Sequence, residues 1–438
     1  MAMLKQPLIR NATIAALIRS DYTAADLSAI EELLRRHQIL AFKPLATGLF
    51  SAAAAFEHTS ATGYHAAWVR DNVHVLNALW RCGDTRAALR GVRAICRFYY
   101  RHHHRISEIL GNPRLAEVAT NRPHIRFCGD TLDEFDHPWA HAQNDALGYF
   151  LWLWAGLAKR HWPRRWEMET VAGLVAYLEA IRYWEDEDSG HWEENRKISA
   201  SSIGAVVAGL RRLMRLPCFG QPLKKRFRHL RERGEEALKN ILPMECNQPD
   251  PEKRRPYDAA LVFLIEPLRL FGKNDDATAE RIAADVTEHL LDENGICRYL
   301  GDSFYCTNYE TNINAEKWTT DYSDDLTDRD GFFQPGGEAR WAIFDPMLSV
   351  YFGRRWRRTG DPSDRRRQVW HFNRSLGQIT GEADRFGPFH CPELYYMEQG
   401  RWQTSRSTPL LWTQANLMLA LREMRRSLPM PEGQADGT

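Results

Sequence analysis

The feature that most constrains the fold is a long succession of amphipathic helical segments. Apolar residues recur at three- and four-residue spacing in about a dozen segments, from AADLSAIEELLRRHQ near the N-terminus to TPLLWTQANLMLALREMRRS near the C-terminus, and YDAALVFLIEPLRLFG is one of them. This periodicity is typical of helices that bury one face. Convincing alternating strands are nearly absent. The sequence therefore predicts an all-α protein.

The chain is long for one domain, yet nothing in it marks a division. Its 438 residues contain no linker rich in Pro, Gly or Ser and no repeat of fixed period. Antiparallel helix pairs bury one another's apolar stripes, so we expect successive hairpins closed into a ring. The polar, aromatic-rich loops between the helices would then gather at one mouth and build the site. These loops are residues 45–68, 121–139, 185–197, 295–337 and 387–407.

Charge and cysteine content exclude several classes of function. There are 58 basic and 57 acidic residues, a net charge of +1, so no global field attracts nucleic acid or a membrane. Two basic runs, LKKRFRHLRERGEE and RRWRRTGDPSDRRRQVW, suit solvated helix faces, with an anionic partner as the alternative. The 8 cysteines form no CxxC pair, which fits reduced thiols. With no convincing signal peptide, we expect a cytoplasmic protein.

The stretch GHWEENRKISASSIG holds two adjacent carboxyl groups, Glu193 and Glu194, directly after Trp192. One interpretation is structural, because acidic residues before a helix complement its dipole. The other is catalytic, because a carboxyl group against an aromatic ring loses hydration and holds its proton to higher pH. The motif alone leaves both interpretations open.

Tryptophan is abundant, with 15 residues, and many of these rings stand beside charged or amide groups. AAWVRDN, HPWAHAQND, GHWEEN, GEARW and LLWTQAN are examples. Sugars are bound by this mixture, because aromatic faces cover the C–H surface of a sugar ring while polar groups bind its hydroxyls. Core packing is the alternative for any single ring. Recurrence near the loops favours a sugar site.

Several motifs together resemble the glycoside hydrolase family 15 domain, which includes glucoamylases. They are AAWVRDNVHVLNALW, PWAHAQNDALGYFLWL, GHWEENRKISASSIGAVVAGL, PYDAALVFLI, GICRYLGDSFY and CPELYYMEQGRWQTSRSTPLLWTQANLMLAL. WVRDN and PELYY are similar to the branch found in the N-terminal part of phosphorylase kinase α and β regulatory subunits. The resemblance implies an (α/α)6 barrel, a six-hairpin toroid, over residues 25–427. Residues 1–24 would be an N-terminal extension and 428–438 a flexible tail.

The resemblance also implies which residues form the site. Glu193 would be the general acid, and Arg70 and Asp71 would hold the hydroxyls of a terminal glucose. The other implied sugar-binding residues are Trp68, Trp139, Asp145, Trp192, Glu194, Arg298 and Trp412. No cofactor and no metal are implied.

Two carboxyl groups compete for the role of catalytic base. Glu393 in PELYY agrees with the phosphorylase-kinase-like string, whereas Glu398 in MEQ is similar to the Glu-Gln pair of glucoamylases. We prefer Glu393. An inverting hydrolase needs its acid and base roughly 6.5–9.5 Å apart on opposite faces of the sugar. Glu193 and a carboxyl group some two hundred residues later meet that demand more easily than neighbours do.

Two functions follow from the resemblance. The first is an inverting, exo-acting glucosidase that cleaves α-glucosidic bonds of gluco-oligosaccharides from the non-reducing end. The second is a catalytically weak or inactive carbohydrate-binding domain of the phosphorylase kinase type, with a protein partner on its helical exterior. Both predict an α-glucan or sugar ligand, and neither calls for nucleic acid or a membrane.

Overall fold

The computed structural model describes residues 6–272, 276–318, 321, 323 and 325–428. Within these ranges, 12 helices of nine residues or more form the framework. They are α1 (Ala24–Arg36), α2 (Val69–Arg81), α3 (Thr85–Arg101), α4 (His103–Gly111), α5 (Asn144–Ala158), α6 (Arg165–Ala180), α7 (Ala200–Leu213), α8 (Gln221–Ile241), α9 (Asp276–His289), α10 (Phe344–Thr359), α11 (Pro362–Gly377) and α12 (Leu411–Arg426). None of the described helices is both long and apolar enough to cross a membrane.

The helices form two concentric rings. The inner ring consists of α2, α5, α7, the short helical segment built from Ala259–Leu261 and Val262–Ile265, α10 and α12. Each inner element contacts the next, and α12 contacts α2, so the ring closes. The outer partners are α3, α6, α8, α9, α11 and α1, and α1 packs on α12. The predicted all-α (α/α)6 barrel is confirmed.

The contact between α5 and α7 in the inner ring depends on glycine. A Cβ atom on Gly148 would lie 2.5 Å from the backbone of Ala205 and Val206. A Cβ atom on Gly209 would lie 2.9 Å from the Leu151 side chain. The small residues of SASSIGAVVAGL therefore let two inner helices approach closely, which a larger residue at Gly148 would prevent.

Two segments differ from the predicted helix pattern. YDAALVFLIEPLRLFG was expected to be one helix, but helical structure ends at Ile265. Pro267 lacks an N–H group and disfavours a helical conformation of the residue before it. The loop 387–407 contains a hairpin of β4 (Leu394–Glu398) and β5 (Arg401–Thr404), and β3 (Arg340–Trp341) pairs with β4. β1 (Ala67–Trp68) pairs with β2 (Arg126–Phe127).

The described part of the N-terminal segment contacts the barrel. Of the predicted extension 1–24, the described part packs on the outer ring: the Arg10 N–H donates to the Gly377 carbonyl, and the Asn11 side chain donates to the Thr380 carbonyl. Residues 429–438 of the predicted flexible tail lie outside the described residues.

Candidate active site

A cavity of about 890 Å³ lies at the N-terminal ends of the inner helices. We call it the main cavity. Arg70 and Asp71 reach it from the first turn of α2, and Trp412 reaches it from the first turn of α12. Nine of the predicted site residues line it, namely Trp68, Arg70, Asp71, Trp139, Trp192, Glu193, Arg298, Glu393 and Trp412.

The backbone at Glu193 separates this side chain from that of Glu194. Glu193 has φ of 58°, a left-handed conformation that is uncommon for a residue with a side chain. Its carboxyl group lies in the wall of the main cavity, with 19% of the side chain exposed. Glu194 is fully buried behind that wall. Non-glycine residues persist in this conformation where the surrounding structure holds them, often at functional sites.

Glu193 combines burial with a cationic neighbour. A guanidinium nitrogen of Arg70 donates to its Oε1 atom at 2.9 Å. Burial raises the pKa of Glu193 to about 8, because the effect of burial and of the nearby Asp321 and Asp71 exceeds the opposing effect of Arg70 and Arg126. A carboxyl group with such a pKa holds a proton at neutral pH and can donate it.

Glu393 lies in the same cavity, directly before β4, with 2% of its surface exposed. The Tyr64 hydroxyl donates to Oε1 at 2.7 Å, and the Ser405 hydroxyl donates to Oε2 at 3.2 Å. Burial raises the pKa of Glu393 to about 7, although both donors favour the ionised form. Its pKa therefore lies below that of Glu193 and is still close to neutrality.

Glu194 anchors a buried ionic cluster behind the cavity wall. Its carboxylate accepts hydrogen bonds from Arg298 at 2.6 Å and Arg329 at 2.7 Å, and also from the Tyr299 hydroxyl. Arg298 is further held by Asp302 at 2.6 Å. Burial alone would raise the pKa of Glu194, but Arg298 and Arg329 outweigh burial and lower it to about 2. Glu194 therefore stays ionised and fixes two arginines of the cavity wall.

Asp145 holds Arg70 from behind the cavity wall, as Glu194 holds Arg298 and Arg329. It is fully buried and accepts a hydrogen bond from Arg70 at 2.7 Å, while Gln143 accepts a second at 3.2 Å. These contacts fix the guanidinium that also holds Glu193.

Three predicted site residues do not line the main cavity. Asp145 and Glu194 are absent from the cavity lining: arginines contact one Asp145 oxygen and the Glu194 carboxylate behind the wall, and the role of both residues as direct sugar ligands stays a prediction. Glu398, the second choice for the base, is absent from the lining of the main cavity and lies in a neighbouring polar groove, which shares Trp318 with that cavity. There it accepts hydrogen bonds from the Glu310 N–H at 3.1 Å and from the Thr311 hydroxyl.

Aromatic rings and arginines form most of the remaining wall. Trp68 and Trp139 meet edge to face at 5.5 Å, and the Arg126 guanidinium lies 4.3 Å from the centre of the Trp139 ring. The indole N–H of Trp192 donates to Asp258 at 2.8 Å, which fixes this ring. Four other wall indoles have no acceptor among the described residues: Trp68, Trp139, Trp341 and Trp412. Such donors suit a ligand rich in hydroxyl groups.

The sequence analysis missed several wall residues. They are Tyr64, Arg126, Phe304, Trp318, Asp321, Arg329 and Trp341. All except Trp341 fall in loops that were expected to form the mouth, but their types alone gave no signal of a role. Trp341 lies in GEARW, one of the sequences in which a Trp ring stands beside charged groups, but it was not predicted to be a site residue. Tyr64 precedes WVRDN by only a few residues, and its contact with Glu393 depends on tertiary structure.

Comparison with known proteins gives a family match and several relatives of low sequence identity. Residues 33–337 match the model of glycosyl hydrolases family 15. An uncharacterized lipoprotein of Escherichia coli is 28% identical over 204 residues, which are 42% of this chain and 77% of that protein. The liver α regulatory subunit of phosphorylase b kinase from Takifugu rubripes is 24% identical over 295 residues. That match covers 61% of this chain and 23% of the subunit, so the chain spans about a quarter of its length.

Solved structures show the same fold. A wild-type glycosidase has a TM-score of 0.68 at 21% identity, with 93% of this chain and 100% of that chain covered. A variant glycosidase in complex with glucose has the same TM-score and coverage at 19% identity. Glucoamylase from Saccharomycopsis fibuligera has a TM-score of 0.57 at 12% identity and covers 94% of this chain and 97% of its own.

Proposed function

The chain belongs to glycosyl hydrolase family 15, and from this premise we propose that it is an inverting glucosidase. It removes glucose from the non-reducing end of α-linked gluco-oligosaccharides. Membership of the family and the barrel fold support a glycosidase-type function in general. The observation that carries the finer proposal is the presence in one cavity of two carboxyl groups, Glu193 and Glu393, with pKa values of about 8 and about 7.

Glu193 is the general acid. At neutral pH it holds a proton, which it donates to the glycosidic oxygen as the bond to the anomeric carbon breaks. The hydrogen bond from Arg70 orients the carboxyl group, and Asp145 holds Arg70. Once the proton has left, Arg70 stabilises the carboxylate that remains.

Glu393 is the general base. Its ionised carboxylate removes a proton from a water molecule that attacks the anomeric carbon from the face opposite the leaving group, so the product is β-glucose. The hydroxyl groups of Tyr64 and Ser405 support the ionised form. Its position in the wall, with Glu398 engaged in another groove, supports Glu393 over Glu398.

The wall residues suit a terminal glucosyl unit. Trp68, Trp139, Trp192 and Trp412 supply aromatic surface for the C–H groups of the ring, and Asp71 and Arg70 supply hydrogen-bonding groups for its hydroxyls. The complex of a glycosidase of the same fold with glucose supports this choice of ligand.

Catalysis requires protonated Glu193 and ionised Glu393, so activity should depend on pH in a bell-shaped manner. Activity falls below the pKa of Glu393, about 7, as the base becomes protonated. It falls above the pKa of Glu193, about 8, as the acid loses its proton. The optimum should therefore lie between these two values.

A second candidate function is sugar binding without turnover. The similarity to phosphorylase b kinase regulatory subunits favours it. In that case the main cavity would bind a glucan or a sugar for regulation, and a protein partner would contact the helical exterior.

One experiment separates the two functions. Glucose release from maltose, isomaltose, trehalose, maltotriose and glycogen is followed by proton NMR, which identifies the anomer, for wild type, Glu193→Gln, Glu393→Gln and the control Glu398→Gln. The proposal requires β-glucose from wild type and from Glu398→Gln, with loss of release in the other two variants. Absence of release, together with a higher melting temperature in the presence of one of these sugars, would favour the binding function.

A further inference from the structure

The inner helices also converge at their C-terminal ends, away from the main cavity. A helix of the length of α2 spans about 20 Å, so the two ends are well separated. A second pocket of about 380 Å³ opens there, which we call the arginine pocket. It is lined by Arg81, Arg212, Arg269 and Arg422, by Glu266 and Glu423, and by Trp152, Pro267, Val350 and Leu419 among others.

The two glutamates of the arginine pocket do not neutralise its four arginines. Glu266 forms an ion pair with Arg354, which lies outside the pocket, and a longer one with Arg269 at 3.5 Å. Glu423 pairs at 2.7 Å with Arg357, which is also outside the pocket. Both carboxylates are thus largely engaged by arginines from elsewhere.

Three of the four arginines have no acidic partner. Among the described residues, no carboxylate lies within ion-pair distance of Arg81, Arg212 or Arg422. Arg212 donates to the Trp152 carbonyl at 2.8 Å, and its guanidinium lies 3.9 Å from the centre of the Trp152 ring. The like charges of Arg81, Arg212 and Arg422 are therefore only partly offset by the nearby Glu266.

The pKa values of Arg81 and Arg212 are both lowered, as repulsion between like charges predicts. Burial, together with the charges of Arg269, Arg422 and Arg426, lowers the pKa of Arg81 to about 10 against the opposing effect of Glu266. Burial and then Arg269, Arg81 and Arg215 lower the pKa of Arg212 to about 9. Unpaired charges of one sign in a concave site attract a counter-charge.

Helix dipoles explain only part of the cluster. Arg81 and Arg212 lie in the last turns of α2 and α7, where carbonyl groups attract cations. Arg269 lies in no helix, and the turn after Pro267 brings it to the pocket with φ of 55°, an uncommon conformation for arginine. Its presence adds positive charge that the helix ends do not require.

We propose that the arginine pocket binds a small ligand carrying a phosphate group. The planar guanidinium group donates two hydrogen bonds at once to a pair of phosphate oxygens. Trp152, Val350 and Leu419 form the apolar part of the pocket lining. This site is independent of the proposed hydrolysis in the main cavity.

A small ligand fits these contacts better than a nucleic acid. The neighbouring basic surface of α10 is already paired, because Arg355 contacts Asp276, Glu280 and Asp364, and Arg358 contacts Asp276. The arginines without acidic partners lie inside the pocket. A polyanion needs a broad field of exposed cations, whereas one phosphate group needs a few converging ones.

Isothermal titration calorimetry with inorganic phosphate and with glucose 6-phosphate, at ionic strength matched with sodium chloride, tests the proposal. Wild type is compared with Arg81→Gln and with Arg422→Gln. Each substitution should weaken binding about tenfold or more, since a charge-assisted hydrogen bond is lost. Without ligand, neither variant should lose thermal stability, because no ion pair is broken. Tighter binding of glucose 6-phosphate would identify a phosphorylated organic ligand, and equal binding would identify phosphate itself.

Arg358→Gln is the matched control, because it removes a nearby arginine outside the pocket. It should leave phosphate binding within about twofold of wild type. Absence of phosphate binding to wild type, or equal weakening by Arg358→Gln and Arg81→Gln, would overturn the proposal. Tighter binding of a single-stranded oligonucleotide than of either phosphate compound, with equal sensitivity to Arg358→Gln, would also overturn it in favour of a nucleic-acid surface.

Discussion

Glu193 and Glu194 are neighbours in sequence, yet one lies in the wall of the main cavity and the other in the ionic cluster behind it. Burial dominates at Glu193 and raises its pKa to about 8, whereas Arg298 and Arg329 dominate at Glu194 and lower its pKa to about 2. The difference shows that burial by itself does not define a proton donor. The charges and hydrogen-bond donors around each carboxyl group decide which of the two keeps its proton.

The largest expected difference between the two residues is in turnover. Glu193→Gln removes the proton donor without changing the size of the side chain, so kcat should fall by about 10²–10⁴-fold. Steady-state glucose release measures it. Glu398→Gln is the matched control and should keep kcat near that of wild type, because Glu398 is absent from the lining of the main cavity. A Glu193→Gln variant with more than a tenth of wild-type kcat would remove Glu193 from the role of acid.

For stability, the larger loss is expected from substitution of Glu194 and not of Glu193. Glu194→Gln leaves Arg329 and Arg298 buried with less negative charge, because Asp302 is then the remaining carboxylate that contacts Arg298. The free energy of unfolding should fall by about 3 kcal/mol, as measured by urea denaturation.

An exposed ion pair provides the control for this measurement. Glu32 pairs with Arg36 on α1 with 72% of its side chain exposed, so Glu32→Gln should change the unfolding free energy by less than about 1 kcal/mol. Equal effects of Glu194→Gln and Glu32→Gln would mean that the cluster behind the wall contributes no special stability.

The direction in which stability changes with pH should reveal the raised pKa of Glu193. A carboxyl group whose pKa is raised on folding contributes stability below its unfolded pKa and loses that contribution as pH rises through its folded pKa, about 8. The Glu193→Gln variant has no carboxyl group that titrates at this position, so it does not lose stability in this way. Relative to wild type, the variant should therefore gain about 2–4 kcal/mol in unfolding free energy between pH 5 and pH 9. Urea denaturation at both values measures it, and a difference independent of pH would contradict the raised pKa.

A smaller effect is expected from the hydrogen bond that Tyr64 donates to Glu393. Tyr64→Phe removes a donor that favours the ionised carboxylate, so the pKa of Glu393 should rise further. The acidic limb of the kcat/KM profile should move up by about one pH unit, and the alkaline limb should stay in place. Ser405→Ala should move the acidic limb in the same direction by less, because its contact is longer. A shift to lower pH would contradict the assignment of Glu393 as base.

Most of the fold could be predicted from the sequence, because its helices show local apolar patterns that recur along the chain. Most of the inner and outer helices carry their own apolar periodicity, and the ring follows from how such helices bury one another. The segment at Val262–Ile265 was misjudged because its apolar periodicity continues through Pro267, while the chemistry of proline ends the helix. The β4–β5 hairpin was missed because its two strands are short and its turn, Gln399–Gly400, was read as part of a loop.

The residues of the candidate site could be predicted from the sequence only in part. Motifs chose Glu193, Arg70 and the tryptophans, all of which line the main cavity. They did not reveal that Glu194 and Asp145 are absent from its lining, because adjacent residues diverge through the left-handed backbone at Glu193 and through arginines distant in sequence. Tyr64 and Arg126 become part of the site through tertiary contacts that no local pattern encodes.

The most direct test is to measure the protonation of the two neighbouring glutamates. Carboxyl ¹³C NMR of protein labelled at the glutamate side chains is recorded from pH 4 to pH 10, with Glu193→Gln and Glu194→Gln used to assign the two resonances. The resonance absent from Glu193→Gln should titrate with a pKa of about 8, and the one absent from Glu194→Gln should be ionised throughout. Titration of the Glu193 resonance near the ordinary glutamate pKa of about 4.3 would contradict the assignment of Glu193 as a proton donor.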